Sequence, residues 1–345
     1  MVLGSRRIFR FIAIGILATG LAGCGYGGWG GALSFSGSSR AQTEALPGRV
    51  YLLRGLIGDV FSLGMDELAE KIERRGIKAS VHGVSAAFYL ADSIARDYRA
   101  DPSIAPIVLI GHSTGGDAII SIAHRLKAAK VPVAIAFGFD PTPVASAVPA
   151  NVDLFINLYQ GTNIIGGATA KPEPGFRGRV INVDLRERRE IIHINLDKSD
   201  AIHDLVVRKI ASIAEGIVAG RATAAVVSGP AGAVARAATA PRAKTTARHA
   251  PPPPPVYVTP LVMRYVVPPG QTIELWDSAV EAIVEPGETI VAVARRTGAP
   301  AWAIAQINKL GPDDPPRDGQ ALLIPRNRFV SAQEIGQSVQ GQNRP

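Results

Sequence analysis

The sequence predicts a protein of the α/β class, in which helices flank a mostly parallel β-sheet. Of its 345 residues, 47% are apolar and 19% are charged, a composition that can bury a sizeable core. Between residues 49 and 219, short apolar runs alternate with amphipathic stretches, which is typical of successive βαβ units. Disorder of the whole chain and fibrous repeats are therefore excluded.

Each element of this domain follows from its apolar pattern. Ile107–Ile110 is an uninterrupted apolar run, which a strand at the centre of a parallel sheet requires. Apolar residues at helical spacing, with charges between them, predict helices over Met65–Arg75, Ala86–Tyr98, Ala118–Lys130 and Leu205–Val218. The other predicted strands are Arg49–Leu53, Ile77–Val81, Val133–Phe137, Val152–Leu158, Arg179–Val183 and Ile191–Leu196.

The net charge of +8 is unevenly distributed along the chain. Residues 1–48 carry +3, 49–219 carry +1, 220–255 carry +5 and 256–345 carry −1. A nucleic-acid-binding face should concentrate its Lys and Arg on a folded module, but here they lie in a leader and a linker. We therefore expect no nucleic-acid partner.

The first residues have the features of an export signal. Arg6, Arg7 and Arg10 form a basic region ahead of the apolar run Phe11–Leu21, which is shorter than the roughly 20 residues of a spanning helix. The run ends in Leu21-Ala22-Gly23-Cys24, which resembles the lipobox of bacterial lipoproteins. The resemblance implies a lipidated Cys24 and an exported protein anchored to the cell envelope at its periplasmic side, at the outer membrane.

Other interpretations of the leader remain open. An ordinary signal peptide or a membrane anchor could carry the same apolar run, and Ser5–Phe9 also resembles the start of a twin-arginine signal. Cys24 is the only cysteine, so intramolecular disulfides and cysteine-based zinc sites are excluded.

Composition divides the chain into segments. After the leader, 1–24, come a Gly- and Ser-rich tether over 25–48, the α/β domain over 49–219 and an Ala- and Pro-rich linker over 220–260. A second module spans 261–330, and a polar tail spans 331–345. Because the linker includes five consecutive prolines, we expect the modules to be joined by a spacer and not by a packed interface.

The candidate nucleophile lies directly behind the central strand. Gly111-His112-Ser113-Thr114-Gly115 is a G-x-S-x-G sequence between an apolar strand and an amphipathic helix. Such a turn exposes the serine hydroxyl, and the Thr114 amide at the helix N-terminus is then a candidate oxyanion donor. The alternative is a structural glycine-rich turn.

This context resembles the α/β-hydrolase superfamily over residues 49–219, whose catalytic residues follow the order serine, acid, histidine. Asp140, which ends the next strand, is the candidate acid, and an Asp-Pro turn is the alternative. His203 is the favoured histidine because it precedes the last helix. His193, within an apolar run, is the second candidate, with a supporting role as its other interpretation.

The resemblance implies acyl transfer to water without a cofactor or a metal. Leu56, in Arg54-Gly55-Leu56-Ile57-Gly58, is the second candidate oxyanion donor. Many relatives have histidine where this chain has Arg54. Pairing of Arg54 with Asp59 and contact with an acidic substrate group are both open.

The last module resembles the LysM domain, a βααβ unit that binds N-acetylglucosamine glycans such as peptidoglycan. The similarity covers residues 284–325, from the opening Pro286–Ile290, through Asn308, to the close Gly319–Pro325. Arg264–Ile273 is similar to a second such opening, either a strand packed on the module or a degenerate repeat. The glycan-binding residues implied are Gly287, Glu288, Thr289, Ile290, Asn308, Lys309 and Leu310.

Together these features predict an exported, lipid-anchored serine hydrolase that cleaves an acyl ester and is held at peptidoglycan by its LysM module. The membrane, through Cys24, and a small acyl-ester substrate are the other expected partners. The alternative is a non-catalytic envelope lipoprotein, in which a degenerate hydrolase fold serves as a scaffold.

Overall fold

The structure, a computed structural model, describes residues 45–56, 62–143, 145–163, 166–228, 256–311 and 314–328. The predicted leader with Cys24, most of the tether, most of the linker and the tail lie outside these ranges, as does Asp59. Within them, no helix combines the length and the apolar character needed to cross a membrane.

A seven-stranded sheet forms the centre of the described chain. Its strand order is β2-β1-β3-β4-β5-β6-β7, and all neighbouring strands are parallel. Every residue of β3 to β6 is buried, as expected for strands that are covered on both faces. The strands are β1 Arg49–Leu53, β2 Lys78–His82, β3 Ile107–His112, β4 Ile135–Phe139, β5 Leu154–Tyr159, β6 Arg179–Asp184 and β7 Leu261–Val266. The predicted α/β class is confirmed.

Helices pack on both faces of this sheet. One face carries α1, Gly64–Arg74, and α4, Asp200–Ser228, whose buried side chains join those of the strands in one apolar cluster. The opposite face carries α2, Ala87–Ala100, and α3, Thr114–Ala128, over a second cluster. Because all seven strands are parallel, their carboxyl ends lie at one edge of the sheet.

The predicted strand Ile191–Leu196 is wrong. These residues belong to an irregular loop between β6 and α4. The side chain of Asn195 accepts a hydrogen bond from the Ile192 amide at 2.7 Å, which closes a turn where a strand would have to continue. Ile192 and Ile194 are exposed, so this apolar run is not buried as a strand of the sheet would be.

The expected domain division also differs from the structure. Helix α4 continues beyond residue 219 to Ser228, and β7 adds to β6 as the last strand of the main sheet. The segment Arg264–Ile273, which is similar to a second LysM opening, is the end of β7 and the turn after it, so the alternative of a strand packed on the module agrees with the structure. The polypeptide after the linker completes the α/β sheet before it forms the second module.

That second module is a βααβ unit, as predicted. It consists of β8 Ser278–Ile283, α5 Ile290–Thr297, α6 Ala301–Ile307 and β9 Ala321–Arg326, with β8 and β9 antiparallel. Thr289 caps α5 by accepting from the Ala292 amide, and Gly298, at φ 71°, ends it. The module's own core consists of Val284, Val293, Ala299, Ile304, Leu322 and Ile324.

The module packs directly on the sheet, so the expectation of two domains joined only by a spacer is wrong. The rings of Tyr265 on β7, Trp276 and Trp302 lie 4.9–6.2 Å apart. Gln306 of α6 accepts from the Val266 amide at 2.7 Å and donates to the Val266 carbonyl at 3.0 Å. These contacts bury the apolar face of β7, which an isolated α/β domain would leave exposed.

A buried charge cluster crosses the same contact. Asp277, fully buried just before β8, lies 3.4 Å from the ammonium group of Lys209 on α4 and 3.9 Å from the guanidinium group of Arg179 on β6. Burial lowers the pKa of both cations, while Asp277 counteracts that shift. Removing Asp277 would leave these two buried cations without their counter-charge.

Candidate active site

Ser113 lies on a strained turn between β3 and α3. Its backbone has φ 56° and ψ −127°, a region that non-glycine residues rarely occupy. A Cβ on Gly111 would collide with the Gly115 carbonyl, and one on Gly115 would collide with the Leu53 carbonyl. The two glycines therefore let strand and helix approach, and the turn holds the serine at the carboxyl edge of the sheet.

Asp140 follows β4 at the same edge and is fully buried. One carboxylate oxygen accepts from the amides of Gly167, at 2.7 Å, and Gln160, at 3.2 Å. The other accepts from the side-chain amide of Asn163 at 2.7 Å. These donors fix the orientation of the carboxylate and satisfy its buried oxygens.

His193 connects the serine and the carboxylate. Its Nδ1 lies 2.8 Å from Asp140 Oδ2, and its Nε2 lies 3.1 Å from Ser113 Oγ. Because a carboxylate only accepts hydrogen bonds, Nδ1 is the donor, which leaves Nε2 of the neutral ring free to accept the serine proton. The three side chains form a continuous Ser-His-Asp hydrogen-bond chain.

His203, the histidine favoured by the sequence, is not in this chain. Helix α4 begins at Asp200, so His203 lies within its first turn and not in the loop before it. Its side chain is fully buried, its Nε2 bonds to the Asp197 carbonyl, and burial lowers its pKa. The structure thus contradicts the choice of His203 and brings His193 to Ser113 and Asp140.

The loop that carries His193 is held by two buried side chains. His112 Nε2 lies 2.8 Å from the His193 carbonyl oxygen, and Gln160 donates to the Ile191 carbonyl at 2.6 Å. Burial lowers the pKa of His112 to about 4, so the ring is neutral at pH 7. With Nε2–H donating to the carbonyl, Nδ1 accepts from the Ser62 hydroxyl at 2.9 Å. No local signal in the sequence indicates this contact, because Ser62 and His193 are both distant from His112 along the chain.

The two candidate oxyanion donors lie in suitable places. Thr114 is the first residue of α3, so its backbone N–H has no partner within the helix. A Cβ on Gly55 would lie 3.2 Å from Ser113 Cβ, so the polypeptide just before Leu56 passes against the serine. The assignment of both amides to an oxyanion remains a prediction.

Arg54 pairs with Asp66, and its pairing with Asp59, which lies outside the described residues, stays a prediction. Its Nε lies 3.1 Å from Asp66 Oδ2, and its Nη2 bonds to the other oxygen of the same carboxylate. The guanidinium group therefore ties the β1–α1 loop to the first turn of α1.

The residues implied for glycan binding fall into two groups. Thr289, Ile290 and Leu310 line a cavity of about 200 Å³ in the second module, together with Ala305, Gly311, Asp314, Pro315 and Pro316. Gly287, at φ 71°, donates to Asp318 in a turn beside it. Lys309 also has a positive φ, 58°, in the turn after α6.

Two of the implied residues instead hold the module together. Glu288 forms a bidentate pair with Arg296, at 2.8 and 2.7 Å. This hydrogen bonding lowers the pKa of Glu288 to about 2. Asn308 donates to the carbonyls of Ile304 and Leu323 and accepts from the Leu323 amide, each at 2.8 Å. Asn308 therefore joins α6 to β9.

The family model of the LysM domain matches residues 282–325. A comparison with curated protein sequences finds no match. Among solved structures, one similar chain is a protein from Xanthomonas campestris pv. campestris assigned to the α/β superfamily of hydrolases. It is 20% identical, with a TM-score of 0.24, and the match covers 33% of this chain and 72% of that one.

Two further solved structures are similar at the same level. A Pyrobaculum calidifontis esterase is 20% identical, with a TM-score of 0.23, over 29% of this chain and 38% of that one. The NocB thioesterase domain from the nocardicin cluster is 15% identical, with a TM-score of 0.25, over 46% of this chain and 80% of that one. These identities and TM-scores are too low to add to the description of the fold that the strand order already gives.

Proposed function

We propose that this protein, an α/β-hydrolase-type sheet joined to a LysM module, is a serine hydrolase that cleaves an acyl ester. The observation that carries the proposal is the position of His193, which bonds both Ser113 Oγ and the Asp140 carboxylate. A structural histidine does not require a strained serine on one side and a fully hydrogen-bonded carboxylate on the other.

In the proposed reaction, His193 Nε2 accepts the hydroxyl proton as Ser113 Oγ attacks the ester carbonyl. The Thr114 and Leu56 amides stabilise the oxyanion of the tetrahedral intermediate. The protonated His193 then gives its proton to the departing alkoxide, which leaves an acyl-serine. Water, deprotonated by His193, cleaves the acyl-serine by the same steps. Asp140 orients the ring and stabilises its cationic form.

The LysM module supports a substrate found at peptidoglycan or at another N-acetylglucosamine polymer. Because the module packs on β7, a bound glycan would fix the orientation of the sheet relative to the polymer. The proposed substrates are lipid esters, short-chain esters and acetylated glycans that occur there. An acyl-CoA thioester is disfavoured by the proposed export, since that cofactor is cytosolic.

We further propose that the protein is exported and anchored by a lipid on Cys24, at the outer membrane. The support is the sequence Leu21–Cys24 behind the apolar run. Several acyl chains on one cysteine would give stable anchoring, where a single chain is marginal. Mass spectrometry of the mature protein tests this, since an unmodified N-terminus beyond residue 24 would contradict it.

A non-catalytic envelope protein is the second candidate function. The observation that favours it is Arg54, which is bonded to Asp66 at a position where many relatives have histidine in the oxyanion loop. In that case the Ser-His-Asp chain would survive as structure only, and the LysM module would be the functional part.

Hydrolysis of p-nitrophenyl esters distinguishes the two candidates. Wild type should turn over the ester, while Ser113→Ala should reduce kcat by at least about a thousandfold. Ser121→Ala, on the exposed side of α3, is the matched control and should retain full activity. Equal rates for wild type and Ser113→Ala would overturn the enzyme in favour of the scaffold.

A further inference from the structure

A cleft lies beside the serine site, next to Gly167, whose amide donates to Asp140. It measures about 510 Å³, and its lining includes Ile120 of α3 and residues 141–143, 145–147 and 167–171. Gly167 belongs to both places, because it lines the cleft while its amide donates to Asp140. The Ser113 and His193 side chains do not line it.

The charged groups that line this cleft are all basic. Among the described lining residues these are Lys171, Arg186 and Arg264, and no carboxylate is exposed there. Lys171 is exposed, and the side chains of Arg186 and Arg264 are 35% and 53% exposed. All three can reach a ligand that arrives from solution.

One buried carboxylate holds the two guanidinium groups in place. Asp184, fully buried at the end of β6, accepts from Arg186 Nε at 2.9 Å, and Arg264 Nη2 lies 3.3 Å away. Burial alone would raise the pKa of Asp184, but the hydrogen bonds from Arg186 hold it below its ordinary value. The carboxylate is therefore charged and fully engaged with its own chain.

Arg186 and Arg264 have more N–H donors than Asp184 can accept hydrogen bonds from. Each guanidinium group has five N–H donors in a fixed plane, and the two groups share a single carboxylate. With Lys171, three cations stand against one anion, which leaves a local excess of two positive charges. The hydroxyl groups of Ser146 and Thr169 add neutral donors to the same lining.

We propose that this cleft binds a phosphate monoester. A phosphate monoester carries about −1.5 to −2 charges at pH 7 and three acceptor oxygens, which match the charge excess and the planar guanidinium donors. A carboxylate would neutralise only half of the excess. The site is distinct from the serine site, and its occupation requires no catalytic step.

Calorimetric titration with glycerol phosphate tests the site without any hydrolysis. Wild type should bind it saturably, and Arg264→Gln and Lys171→Gln should each weaken binding by about tenfold, the effect of one charge-assisted bond. Both residues are exposed enough for the variants to fold. Lys78→Gln, the same change on the edge strand β2, is the matched control and should bind like wild type.

A second arm identifies the source of the phosphate group. In chains that all carry Cys24→Ala, so that no lipid anchor retains them, vesicles of phosphatidylcholine with phosphatidic acid should retain the chain with the intact cleft, but not the two variants, if the group belongs to a lipid. Binding of glycerol phosphate alone would support a soluble phosphate monoester. Ser113→Ala should bind like wild type in both arms, so a failed hydrolase proposal leaves this result unchanged.

The proposal is overturned if neither probe binds wild type saturably, or if both variants bind as tightly as wild type. Acetate binding as tightly as glycerol phosphate would overturn the assignment of the ligand class.

Discussion

The serine site and the C-terminal segment, residues 256–328, differ in their relation to the sheet. The sheet positions the serine site, whereas the C-terminal segment completes the sheet. Ser113, Asp140 and His193 all follow strands of the sheet and are held by polar contacts from residues 62–167. The C-terminal segment supplies none of these contacts, but it supplies β7 and the aromatic side chains packed on it. The proposed chemistry thus lies at one edge, whereas we expect the stability of the sheet to depend on the last part of the chain.

The largest effect should come from ending the chain at Ser228, which removes β7 and the LysM module. The edge of β6 would then be exposed, and the main core would lose the buried side chains of Met263, Tyr265 and Trp276. We expect no cooperative thermal unfolding by circular dichroism and no ester hydrolysis.

The matched control for this truncation is a chain that ends at Arg328 and keeps every residue described after the linker. It should unfold like wild type. A chain ending at Ser228 that melts cooperatively and keeps wild-type esterase activity would break the comparison, because the sheet would then be complete without its seventh strand.

The two histidines separate chemistry from stability. His193→Ala should lower kcat by at least about a thousandfold, because the general base is lost, while the melting temperature changes little. His203→Ala should destabilise the fold, because it empties a buried position on α4, yet the folded fraction should keep its kcat. Steady-state kinetics and thermal melts of both variants measure this. The reverse pattern would restore His203 to the site.

The outcome for these histidines shows which parts of the site could be predicted. Ser113 and Asp140 can be predicted because their setting is local, each residue following an apolar strand directly. His193 is only the second candidate histidine because Ile191–Ile194 has the composition of a strand. What makes it a loop is the Asn195 side-chain bond and the carbonyl bonds from His112 and Gln160, two of which come from distant residues.

The same reasoning applies to the fold. The α/β class follows from periodicity and the LysM unit from a compact motif, and the presence of both is confirmed. The position of β7 could not be predicted, because Leu261–Val266 pairs with Arg179–Asp184 across the whole of α4 and the linker. Parallel pairing over such a distance leaves no local turn signal.

A single core substitution measures how much the contact with the second module stabilises the sheet. Trp276→Ala should lower the free energy of unfolding by about 3–5 kcal/mol, because the indole is buried between β7 and the second module. Val291→Ala, on the exposed side of α5, should change it by less than about 0.5 kcal/mol. Urea unfolding at pH 7 gives both values. A similarly small change for Trp276→Ala would mean that the module does not stabilise the sheet.

The smallest expected effect concerns the pH dependence of stability. The pKa of His112 is 6.5 in an ordinary setting and about 4 in the folded chain, so only the unfolded chain binds this proton between those values. The free energy of unfolding should therefore fall as pH drops from 6.5 to 4. His112→Gln, which keeps an N–H donor but cannot titrate, should lack this loss, on the order of 2 kcal/mol.

Urea unfolding of wild type and His112→Gln over this pH range measures the difference. Above pH 7 the two curves should run parallel, which provides the internal control. If the two curves ran parallel down to pH 4, His112 would not be the neutral side chain that holds the His193 loop.

Labelling with a fluorophosphonate probe tests most directly whether Ser113 is an activated nucleophile. The probe reports on the serine itself and requires no knowledge of the substrate. Wild type should be labelled at Ser113, as identified by peptide mass spectrometry. His193→Ala should be labelled far more slowly, His203→Ala at the wild-type rate when folded, and Ser113→Ala not at all. An inert wild type, or equal labelling of wild type and Ser113→Ala, would contradict the Ser113–His193–Asp140 hydrolase.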